Sequence, residues 1–172
     1  FHNPMGAAAY TLNQTDTTYH LMGDLTADYS SFEITASGVT LDLNGRTVFY
    51  NQKDDQFSGT DWAANCPMGI RVRYQSNVKI LNGTVIQGDG YNSADSGGTG
   101  YNPIYFRSTT GTVAGIRMEY AGANITGLAA AYGTGNAYLH HNSILDRGSQ
   151  VDNRHAGVDA ILGGIETHHN LI

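Results

Sequence analysis

A chain of 172 residues is long enough for one domain with a continuous core, and no shift in composition marks a second domain or a linker. Charged residues make up 14%, against roughly a quarter in an average soluble domain, and the formal net charge is −6 with only two lysines, Lys53 and Lys79. No basic field exists to hold a nucleic-acid backbone, and no apolar run approaches the roughly 20 residues that span a bilayer. The single cysteine, Cys66, excludes an internal disulfide framework and reads as a buried filler thiol. The chain begins at Phe1 with no charged-then-apolar leader, the form expected of a processed, secreted product.

In chain order, residues 1–18, with MGAAAYTL, predict a cap ahead of a first strand at Tyr19 in YHLMGDL. Five segments then repeat: SFEITASGVTLDLNGRTV from Ser31, GIRVRYQSNVKILNGTVI from Gly69, PIYFRSTTGTVAGIRM from Pro103, GLAAAYGTGNAYLHHNSI from Gly127 and GVDAILGGIETHHNLI from Gly157. Each holds a short alternating run, a tight turn, a second alternating run and another turn, which is the pattern of short strands with one buried face. The second turn falls at Asn44, Asn82, Gly115, Asn142 and Asn170, spaced 38, 33, 27 and 28 residues apart. The four asparagines are expected to form a stacked turn ladder, because Asn tolerates the left-handed conformation and its amide bonds the backbone. Phe32/Ile34, Ile70/Val72, Ile104/Phe106, Leu128/Ala130 and Val158/Ala160 form the expected inward rows of the first strand. A repeat of this size cannot bury its apolar face alone and must stack on its neighbours.

The stretches GVTLDLNGRTV, NVKILNGTVI and NAYLHHNSI resemble the repeats of the pectate-lyase-like parallel β-helix superfamily, over about residues 19–172. The resemblance implies an all-β, right-handed parallel β-helix: a single-stranded solenoid of about five coils filling residues 1–172 as one domain, either an N-terminal portion or an end-stacking unit. It says little about activity, since that superfamily hosts lyases, hydrolases, tailspikes and adhesins alike. The chain stops at Ile172 on a strand, so further coils or a docking subunit are expected at an open C-terminal coil.

Insertions at 49–68, 87–102 and 146–156 fall on one side of the repeat, where solenoids bind their ligands. Outward residues of the first strand read Glu33, then Arg71 and Arg73, then Tyr105 and Arg107, then Asp159 two repeats on, with Glu33 placed on the far side. Arginines on adjacent strands suit an acidic polysaccharide. Abstracting the proton beside a uronate carboxylate needs that carboxylate neutralised and a base within reach, and Arg107, Tyr105 and Arg73 are the candidates for these catalytic roles. Arg71 and Asp159, with the insertion aromatics Trp62, Tyr91 and Tyr101, are the candidate substrate contacts; a plain solvated face and loop-pinning aromatics are the competing readings. The lyase resemblance also implies calcium, although clear counterparts of its aspartate ligands are missing, and so are the paired carboxylates of a hydrolase. Asp146, Arg147, Asp152, Arg154 and His155 form a mixed cluster that reads as an ion-paired loop or an acid/base site. His140-His141 and His168-His169 recur 28 residues apart and read as a stacked surface ladder with no identifiable third metal ligand. Two functions follow: a secreted protein that binds or cleaves an acidic polysaccharide, or a structural or adhesive solenoid assembling end to end into a filament.

Overall fold

The computed structural model describes residues 7–53, 67–88, 102–120, 126–131, 136–146, 156–161 and 164–171. Period-two alternation carries through most of them as strands: β1 (Ala8–Leu12), β2 (Thr18–His20), β3 (Leu25–Thr26), β4 (Ser30–Ile34), β5 (Thr40–Asp42), β6 (Thr47–Tyr50), β7 (Ile70–Arg73), β8 (Val78–Gln87), β9 (Ile104–Arg107), β10 (Gly111–Tyr120), β11 (Thr126–Ala131), β12 (Asn136–His140), β13 (Ser143–Asp146), β14 (Ala156–Ile161) and β15 (Gly164–His168). No helix occurs among the described residues. The strands form a six-stranded sheet in the order β1-β4-β7-β9-β11-β14 and a nine-stranded sheet whose path runs β15-β12-β10-β8-β5-β2, with β3, β6 and β13 alongside. Every pairing is parallel.

Register aligns like with like. In the six-stranded sheet Phe32 pairs Ile70, which pairs Ile104, and Ile34 pairs Val72, which pairs Phe106. In the nine-stranded sheet Leu41, Ile80, Val113 and Leu139 form one row, and Val48, Val85, Met118 and Ile144 a second. These rows belong to one shared core in which most side chains are fully buried, each worth about 1.5–3 kcal/mol of transfer free energy. Close approach is built in at Gly83, where an added Cβ would lie 2.4 Å from the Leu43 Cβ.

The expectation of a right-handed, single-stranded solenoid of about five coils is corrected. The described strands make two separate parallel sheets and trace no closed solenoid. The strands expected on either side of the second turn fuse into continuous ten-residue strands, β8 and β10, because Asn82 and Gly115 take left-handed backbone without breaking the ladder. The cap at 1–18 and the first strand at Tyr19 are corrected too: β1 is a member of the six-stranded sheet and pairs β4, with Tyr10 opposite Phe32, while Tyr19 lies in the second strand, opposite Leu41. The five residues of AAYTL are uncharged and include no clear polar alternation, so periodicity alone did not separate them from a cap.

The turn ladder needs a one-residue correction. Asn44 and Asn82 are left-handed (φ 52° and 56°), and Gly115 follows them at 64°. The next left-handed residues are His141 (57°) and His169 (51°), not Asn142 and Asn170, since Ala114 pairs His140 and Arg117 pairs Ser143. Asn142 instead turns inward: its Oδ1 accepts from the Ile116 N–H at 3.0 Å and its Nδ2 donates to the Val113 carbonyl at 2.9 Å. Asn170 continues one strand on, accepting from the Asn142 amide and donating to the Leu139 carbonyl. One row was expected and two exist, an outer left-handed row and an inner amide row.

Candidate functional site

On the six-stranded sheet, alternation puts Glu33 of β4, Arg71 and Arg73 of β7, and Tyr105 and Arg107 of β9 on the face opposite the Phe32/Ile34 rows, although Tyr105 is itself part of the buried hydrophobic cluster. Register sets the neighbours: Glu33 pairs Arg71, Arg71 pairs Tyr105, and Arg73 pairs Arg107. Glu33, expected on the far side, is therefore the centre of the cluster. Its Oε2 accepts from Arg71 Nη2 at 2.8 Å and its Oε1 from Arg73 Nη2 at 2.6 Å. Burial raises the Glu33 pKa, but the hydrogen bonds and charges of the two arginines outweigh it and hold the carboxyl below its ordinary value.

The arginine row is thus a partly neutralised, layered arrangement. The Arg71 side chain is 2% exposed and Tyr105 as a residue 1%, so neither is open to a substrate from solvent; their expected substrate-binding and catalytic roles are corrected. Arg73, at 29%, and Arg107 reach the surface. Arg73 is engaged as a hydrogen-bond donor to Glu33, which removes the basis for using it to abstract a proton. Arg107 lies over the Tyr74 ring, its Cζ 5.6 Å from the centroid, within cation–π range.

Tyr74 is the residue that sequence reading missed. It is 63% exposed and left-handed at φ 60°, its N–H donating to the Arg107 carbonyl at 2.8 Å. An exposed aromatic in that conformation costs of order 1–2 kcal/mol and persists only where its surroundings impose it. Here they do: Gln75 Nε2 bonds the Arg73 carbonyl, Gln75 Oε1 accepts from Ser37, and buried Thr109 bonds the Arg107 carbonyl. The signal was available, since Tyr74 directly follows Arg73 in RVRYQS.

The Asp159 backbone lies on β14 in the row that runs from Tyr105 through Ala129, two strands beyond the arginines. Trp62, Tyr91, Tyr101, Cys66 and the segment 147–155 lie outside the described residues. Among the described residues no group of three or more His, Cys, Asp or Glu is placed to hold a metal ion. Glu33, the one described acid in this cluster, is committed to two arginines, so the arrangement does not fit calcium. The histidines do form a surface ladder: the His141 and His169 rings stack at 5.1 Å and 16°. No family model matches the chain, and no curated protein or solved structure matches it either.

Proposed function

We propose that the chain is an extracellular protein that binds an acidic polysaccharide, without cleaving it, on the outer face of the six-stranded sheet around Arg73, Tyr74 and Arg107. The observation that carries this reading is the exposed Tyr74 ring, held in a costly conformation with the Arg107 guanidinium over it. A sugar ring stacks on an aromatic face while guanidinium groups meet its carboxylates in forked hydrogen bonds. Glu33 fixes the position of Arg73 and lowers the net positive charge, which favours oriented contact over diffuse attraction. The low charged fraction supports an extracellular setting.

Isothermal titration with oligogalacturonate tests this. Binding should weaken with salt, since exposed charges are screened, should fall on the order of tenfold in Arg107→Ala, as expected for a lost charge-assisted contact, and should be absent for a neutral glucan. Unsaturated or shortened product after prolonged incubation would contradict the non-catalytic reading, and equal affinity for the neutral glucan would remove the ionic one. Structural self-association is kept as a second reading on one observation. At the β1 and β2 edge an apolar hollow of about 380 Å³ is lined by Tyr10, Leu12, Tyr19, Met22 and Phe32, with Met22 77% exposed.

A further inference from the structure

The corner between β12 and β13 carries His140, His141 and Asn142, and the same three residue types recur at His168, His169 and Asn170. In an extended strand successive side chains point to opposite faces. The left-handed backbone at His141 breaks that alternation and brings the His140 and His141 Nδ1 atoms to 3.1 Å, the ring planes at 89°. The two Nδ1 atoms thus stand at hydrogen-bond distance. At metal–nitrogen bonds of about 2.05 Å the same separation corresponds to an angle of about 100° at a bound ion, between octahedral and tetrahedral geometry.

We propose that His140 and His141 chelate one divalent transition-metal ion of the zinc, nickel or copper class through their Nδ1 atoms, water completing the coordination. Imidazole nitrogen suits these ions, whereas calcium and magnesium take oxygen ligands. Both rings bind as neutral imidazoles with their protons on Nε2, which leaves each Nδ1 lone pair to the ion. The site is pre-arranged on both sides: the His169 ring stacks on His141 at 5.1 Å, and buried Asn142, bonded to Val113 and Ile116, anchors the turn. Arg117, which lines the adjoining open hollow of about 460 Å³ with His141 and Ser143, directs its charge to Glu119 at 2.6 Å and so opposes a cation less. This inference concerns a different part of the molecule from the glycan surface and does not depend on it.

The test is a Ni²⁺ titration of the 172-residue chain, followed by calorimetry and by the histidine ring signals in NMR. Binding at one ion per chain is expected, with paramagnetic broadening of the His140 and His141 rings before His20, which lies on β2 beside Asp42, and no response to Ca²⁺. His141→Asn keeps a residue type that the chain already uses in the left-handed row at Asn44 and Asn82. It and His140→Gln should each weaken binding on the order of tenfold or more, a loss at least as large as that from removing a supporting group. Broadening of His20 in step with the pair, or unchanged affinity in both variants with the melting transition retained, would overturn the proposal.

Discussion

The outer face of β4, β7 and β9 and the corner that runs from Asn44 after β5, through Asn82 within β8 and Gly115 within β10, to His141 after β12 are both built by parallel register, yet they carry chemistry in opposite ways. On the sheet face, Glu33, Arg71 and Arg73 meet from positions 38 and 40 residues apart and partly neutralise one another within a partly buried cluster. At the corner, His140, His141 and Asn142 are sequence neighbours in a repeated motif, with His141 exposed and Asn142 buried. The difference teaches that a face made by pairing has its charges decided by strand partners, whereas a corner has them decided by the local backbone conformation. Burial then sets what each loses on mutation.

Replacing Glu33 should break the comparison most sharply. Glu33→Gln removes the Glu33 carboxylate from the buried Arg71 guanidinium and should cost about 3 kcal/mol of unfolding free energy, read by chemical denaturation. The same variant should flatten part of the acid limb of stability. Because the folded-state pKa of Glu33 is depressed, its contribution is fully present above the ordinary value of 4.5 and is lost as pH falls through the lower folded value. A variant as acid-sensitive as the parent would contradict the ion cluster. At the corner, Asn142→Ala strands the Ile116 N–H and the Val113 carbonyl and should cost about 2 kcal/mol, by the same measurement. Smallest and opposite in sign, Tyr74→Gly should relieve the left-handed backbone and raise stability by about 1 kcal/mol while weakening glycan binding. A glycine variant that binds as well as the parent would show that the Tyr74 ring has no part in recognition.

The rows of the core were legible because their signal is periodic: Ile34, Val72 and Phe106, or Leu41, Ile80 and Val113, stand at matching points of each repeat, and hydrophobic alternation fixes register wherever one face is buried. The architecture was less so. A left-handed Asn82 or Gly115 looks like a turn in sequence, yet in the ladder it is a kink that leaves β8 and β10 continuous. The corner shifted by one residue for a related reason, since Asn was assigned the left-handed role that His141 takes, leaving Asn142 for the inner amide row. Glu33 was misplaced because an outward residue carries no periodic signal; only the pairing with Arg71 shows what it meets. Of the candidate site, Arg73 and Arg107 keep a surface role, whereas Arg71 and Tyr105 do not, and no pattern in the sequence distinguishes the buried pair from the exposed one.

The most direct test is an NMR titration of the chain with oligogalacturonate, observing both regions in one experiment. Shifts concentrated at Arg73, Tyr74 and Arg107, with the His140–His141 corner unmoved, are what a cationic glycan surface on the six-stranded sheet predicts. Shifts centred on the corner, or none at the three surface residues at saturating ligand, would contradict it.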